Sequence, residues 1–138
     1  MIEADLLRRL HDANDDCIRI AAQEYGLQLD GSLKSLTAAD QLCAQVGKHA
    51  PMMDERLDRW VDLIGAYTGG VLCRAFGGDW IQDEEDGWAV SIASGKVVMF
   101  VRSFVRRVLG GDPYRSLASL EVHIGHALET SDARQVDP

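Results

Sequence analysis

His123 and His126 stand three residues apart with Glu121 just before them, a spacing that supplies part of a metal site on one helical face. Zinc needs three or four protein ligands within tetrahedral reach, and no second cluster supplies the rest. The expectation is that one histidine flanks the core and the other meets solvent, and no metal is assigned. The run Asp83-Glu84-Glu85-Asp86 before Gly87 invites a calcium reading. It lacks the alternating oxygen ligands of an EF-hand loop and its terminal glutamate. Cys43 lies six residues from His49, and Cys73 sits beside Arg74, but neither thiol has the positioned base and orienting group that activate a nucleophile. Asp15 and Asp16 are neighbours on a helix, so they diverge by about 100° and cannot act as a close carboxylate pair. Gly77-Gly78 follow a helix, whereas a phosphate loop needs its glycines before one. No catalytic residue and no cofactor is assigned.

The elements that carry these residues follow from periodicity. Leu6, Leu7, Leu10, Ala13, Cys17, Ile18, Ala21 and Ala22 recur at helical spacing, so residues 3–25 form an amphipathic helix that Gly26 ends. Asp30-Gly31 marks a turn. A second helix starts at Thr37, whose hydroxyl caps it, and runs to Val46 before Gly47. Pro51 bounds the next segment, and Asp54 caps a long helix stopped by Gly77-Gly78. The period then changes to a three-stranded antiparallel meander: Trp80–Gln82, Trp88–Ala93 and Lys96–Met99, with Ser94-Gly95 as a two-residue turn. Helical spacing returns from Phe100 to Leu109, ended by Gly110-Gly111. Asp112-Pro113 starts a last helix through Tyr114, Leu117, Leu120, Ile124 and Leu128. The expectation is one α+β domain over residues 1–130: three N-terminal helices, a small three-stranded antiparallel meander and two C-terminal helices. Residues 131–138 form a frayed tail.

The long helix raises a cost. Gly65, Gly69 and Gly70 lie inside it, each less favourable than alanine by about 1 kcal/mol. Asp62, Gly65, Ala66, Gly69, Gly70 and Cys73 fall along one stripe. Small residues at that spacing let another backbone approach, so close helix packing is expected, with a ligand cleft as the alternative. Trp60, Trp80 and Trp88 fall at the junction of helix and sheet. They read as core, or, for Trp88 beside the acidic run, as an exposed interface anchor.

Composition narrows the class. The chain has 138 residues, a net charge of −8 and ordinary apolar content. An acidic surplus disfavours nucleic acid, because neutralising phosphates takes Lys and Arg. No apolar run is long enough for a bilayer, and the acidic N-terminus lacks a signal core, so a cytoplasmic protein is expected, without export or membrane association. Three separated cysteines without a C-x-x-C pair read as free thiols. Nine acids fall between Asp54 and Asp86, and five bases against one acid between Lys96 and Arg115. The expectation is two solvated faces of opposite sign.

The succession "GLQLDGSLKSL", "GAYTGG…FGGDW", a short meander and "FVRRVLGGDPYRSL" resembles a family of small bacterial domains of unknown function. The resemblance implies a fold and a bacterial source, and no activity.

These observations point to a non-catalytic cytoplasmic protein-binding domain, in its most concrete form an immunity or inhibitor protein covering a basic toxin surface. The expected contact residues are Asp83, Glu84, Glu85, Asp86 and Trp88. The alternatives are an adaptor subunit that self-associates, as a homodimer, through the open sheet face, and a small enzyme or ligand-binding domain using a cleft beside the glycine helix.

Overall fold

Periodicity becomes five α-helices and one antiparallel sheet in the computed structural model, which describes residues 2–47 and 54–136 and the side chains as far as residue 130. Helix α1 spans Ala4–Tyr25 and turns its Leu10, Cys17 and Ala21 inward. Gly26 closes it at φ +65°, the left-handed conformation that glycine adopts without a Cβ clash. A short 3-10 helix, Leu33–Ser35, then leads directly into α2, Leu36–Gly47.

The start of α2 differs from expectation. Thr37 lies inside the helix, and the cap is Ser32, whose hydroxyl accepts from the Ser35 amide ahead of the 3-10 turn. The extra turn wins because it buries Leu36 fully and Ser35 almost fully. Pro51 and His49 lie outside the described residues.

Helix α3, Asp54–Phe76, is the axis of the core. Its Val61, Ile64, Tyr67, Val71 and Leu72 are inaccessible to solvent. α1 packs along one side of it and α4, Val101–Leu109, along another. Gly77, at φ +67°, ends α3, and the Gly78 amide donates back to the Cys73 carbonyl, the six-residue bond of a Schellman motif.

The sheet runs β1 (Asp79–Asp83), β2 (Gly87–Ile92) and β3 (Val97–Met99), in that spatial order. Trp80 opposes Val90, and Val90 opposes Met99, so by alternation Trp80, Trp88, Val90, Ile92, Val97 and Met99 share the face that meets the helices. The expected Ser94-Gly95 turn is present. Pairing ends at Ile92 and Val97, so the connection is four residues; Lys96 N donates to Ala93 O at 3.3 Å, and Ala93, Ser94 and Gly95 all have positive φ.

The last helix starts later than its spacing predicts. Asp112-Pro113 does not open it: α5 begins at Leu120 and runs to Val136, and Tyr114 is 92% exposed. Two bonds explain the difference. The Asp112 carboxylate accepts from the Tyr114 amide and from Arg115, making a local turn that competes with helix. The Asp40 carboxylate on α2 then takes the amides of Leu117 and Ala118, at 2.6 and 3.1 Å, which ties this segment across to α2.

The glycine stripe does admit a close approach, but by indole rings. A Cβ on Gly69 would stand 2.0 Å from Cη2 of Trp80, and one on Gly65 would stand 3.0 Å from Cη2 of Trp88. The two rings meet edge to face, 5.4 Å between centroids. The sheet, through its tryptophans, fills the space expected for a second helix.

Candidate functional site

The acidic run is a hairpin tip. Asp83 pairs with Gly87, leaving Glu84, Glu85 and Asp86 as the loop between β1 and β2. Gly87 sits at φ +87°, and a Cβ there would lie 3.3 Å from Nη1 of Arg102. The conformation and the neighbour both call for glycine.

The four carboxylates divide into two kinds. Asp83 turns its Oδ2 back on the loop and accepts from the Glu85 and Asp86 amides, at 3.1 and 2.7 Å. Asp86 accepts from the Ser103 hydroxyl with both carboxylate oxygens. These two build the tip. Glu84 and Glu85 are exposed and have no side-chain partner among the described residues, so the tip presents them outward.

Arg102 holds the tip to the body. Its Nη1 donates to the Asp86 carbonyl at 2.7 Å, its Nε donates to Asp62 on α3, and its guanidinium lies 5.4 Å from the Trp88 ring centroid. One side chain on α4 therefore reaches β2, the loop and α3 together. Asp62 is half exposed, so its ion pair with Arg102 contributes no more than about 1 kcal/mol. The positioning is the larger consequence.

Trp88 takes the core reading and not the alternative of an exposed anchor, so it is not accessible as the contact residue expected of it. It is 7% exposed, wedged between the Gly65 groove, Trp80 and Arg102. Large apolar rings next to glycines bury where the groove accepts them. The exposed aromatic in this region is Phe100, 45% exposed, on the link between β3 and α4. It lines a groove of about 210 Å³ with Asp83, Glu85, Asp86 and Ser103. A second groove, about 220 Å³, continues from Phe100 past Val98 and Phe104 to Arg107 and Arg115. An accessible ring thus stands between an acidic end and a basic end.

The opposite charges of the two sequence stretches are not simply two solvated faces. Arg106 on α4 bonds Asp58 on α3 at 2.8 Å, and Arg102 bonds Asp62. Part of the asymmetry is thus neutralised at the α3–α4 seam. The acids left without such a partner include Glu84 and Glu85.

Other sequence candidates do not assemble. His123 and His126 are both exposed, so neither flanks the core; the buried neighbours on α5 are Leu120 and Ile124. Among the described residues no three His, Cys, Asp or Glu side chains gather to hold a metal ion. Cys17 and Cys43 are buried and Cys73 is half-buried, and all three are free. Burial pushes the Cys17 thiol up to about 12 and the Cys73 thiol up to about 11, and raises Cys43 further, with Asp40 adding to it. Such thiols stay protonated and are poor nucleophiles. No helix among the described residues is long and apolar enough to cross a membrane.

Phe100, Arg102 and Ser103 escape sequence reasoning. Phe100 reads as the first apolar position of a helix, and Arg102 as one of several surface arginines. The partners of Arg102 lie 40 and 16 positions away, so no local spacing marks it.

A family model described as a family of unknown function matches residues 5–122. No curated protein and no solved structure matches the chain.

Proposed function

The chain belongs to that family of unknown function, DUF6278, and from this premise we propose that it is a non-catalytic protein-binding domain that docks a basic partner on the β1–β2 tip and the adjoining Phe100 groove. The observation that carries the reading is the exposed Phe100 ring between the tip carboxylates and Arg107/Arg115. Aromatic side chains are enriched at binding hot spots, and a charged rim speeds encounter while fixing register. The occupant that complements this surface is a protein segment with an apolar residue for Phe100 and a Lys or Arg for Glu84 and Glu85. The tip is already ordered by Asp83, Asp86 and Arg102, so docking loses little loop entropy. An inhibitor of a basic toxin, acting in the cytoplasm, is the most concrete form of this reading.

The test is capture from a lysate of the source organism by wild type, Phe100→Ala and Glu84→Lys/Glu85→Lys, followed by association kinetics with the captured protein. Phe100→Ala is expected to speed dissociation. The double lysine variant is expected to slow association at low salt, and the difference shrinks as salt shortens the Debye length below about 8 Å. Capture by both variants equal to wild type removes the groove as the binding surface. Absence of any captured protein counts against a protein-binding role.

A further inference from the structure

At the other end of β1 from the tip lies a larger cleft, about 320 Å³, between α1, α3 and the start of β1. That volume is at the small end of the range for small-molecule sites, about 300–1,000 Å³. It stands apart from the protein-docking surface and shares no lining residue with it.

Gly70 borders this cleft, and its reason for being glycine differs from that of its neighbours. Gly65 and Gly69 make room for Trp88 and Trp80. A Cβ on Gly70 would meet only Nη1 of Arg74 and Oδ1 of Asn14, each at 3.8 Å, which is ordinary contact. Gly70 also lacks a positive φ. Neither packing nor backbone conformation requires glycine there, although mid-helix glycine is costly. What glycine does preserve is the open space.

That space is bounded by an unused acceptor. Asn14 Oδ1 is closed to solvent and has no hydrogen-bond partner among the described residues, while Nδ2 donates to the neighbouring Asp15 at 3.3 Å. Buried acceptors ordinarily find a donor, so an orphan at a cleft wall needs an explanation. Nη1 of Arg74 lies equally close to the same position while Nη2 donates to the Gly31 carbonyl at 3.4 Å, and neither bonds Asn14. Asp79 lies at the wall as well, and Ile2, Leu7 and Trp80 supply its apolar part.

We propose that this cleft binds a small zwitterion of the α-amino-acid class. The ammonium donates to Asn14 Oδ1, which a side-chain shift on binding must first uncover, and faces the Asp79 carboxylate. The carboxylate pairs with Arg74, and the side chain rests on Ile2, Leu7 and Trp80. Binding is non-covalent, since an amino acid offers no electrophile to the Cys73 thiol in the same wall.

The experiment titrates isotope-labelled protein with each proteinogenic amino acid singly and follows the amide and indole resonances. At least one apolar amino acid is expected to shift Asn14, Gly70 and the Trp80 indole in a saturable way. Its carboxamide derivative is expected to bind about tenfold or more weakly, the loss of one charge-assisted pair. Gly70→Leu, which fills the cleft, and Arg74→Gln, which removes the carboxylate partner, are both expected to lose the response while keeping a folded spectrum. If no amino acid shifts the cleft resonances of wild type, the proposal is overturned. It is equally overturned if folded Gly70→Leu responds as wild type does. Should Gly70→Leu fail to fold, Arg74→Gln decides, and wild-type affinity in that variant overturns the assignment of Arg74 and of the ligand class.

Discussion

Trp80 sets its indole into the gap that Gly69 leaves in α3, with Cη2 only 2.0 Å from the place a Cβ would occupy. That relationship separates two adjacent glycines in one helix. Gly69→Leu, and even Gly69→Ala, must displace a ring that also braces Trp88, and the expected loss is about 1–3 kcal/mol or more. Gly70→Ala meets only ordinary contacts and regains helix propensity, so a gain of about 1 kcal/mol is expected. Urea denaturation of the two alanine variants checks the pair. Shifts of the same sign would mean that Trp80 does not occupy the Gly69 groove.

Tyr67 ties the connection after α1 to the core. Its hydroxyl accepts from the Gly31 amide at 2.9 Å and shares a hydrogen bond with Ser35 Oγ. Tyr67→Phe keeps the ring and strands the Gly31 donor, for an expected loss of about 1–3 kcal/mol. Amide exchange at Gly31 is expected to rise more than exchange in α3. Unchanged protection at Gly31 would remove this tie.

Asp40 gives a pH dependence with a definite sign. Burial pushes its carboxyl above the usual aspartate range, while the Leu117 and Ala118 amides oppose that shift. A raised value means the folded state holds the proton more tightly than the unfolded chain. Its contribution to stability is therefore fully present below the unfolded value of about 3.9, and is lost as pH rises through the folded value. Measured against Asp40→Asn at each pH, the wild-type denaturation midpoint is expected to fall across that window. A difference that is flat, or that grows with pH, contradicts the assignment.

The cysteines are expected to react in the order of their burial. Cys73, half-buried, alkylates slowly in the native protein, whereas Cys17 and Cys43 wait for unfolding. Peptide mapping after timed iodoacetamide treatment reads this order, and non-reducing intact mass is expected to show no internal bridge. Native labelling of Cys17 ahead of Cys73 would place Cys17 outside the core.

The sequence by itself determined whatever depends on neighbours in the chain. Apolar spacing defined α1, α3 and α4, because a helical stripe must bury wherever it packs. Gly26 and Gly77 ended helices, and Ser94-Gly95 turned a hairpin, because those backbone conformations are local properties. The acidic tip was legible for the same reason. Tertiary structure alone decided the rest. The Asp40 carboxylate, 77 residues away from Leu117, helped to move the start of the last helix past the signal of Asp112-Pro113. Trp88 was drawn inside because the Gly65 groove accepts its indole, while the strand-to-helix link leaves Phe100 45% exposed. Arg102 became the strut of the tip through contacts with β2, α3 and the loop. Long-range pairs and the assignment of two similar rings to inside and outside are set by which surfaces meet. A one-dimensional pattern carries the periodicity of each surface, but not its partner.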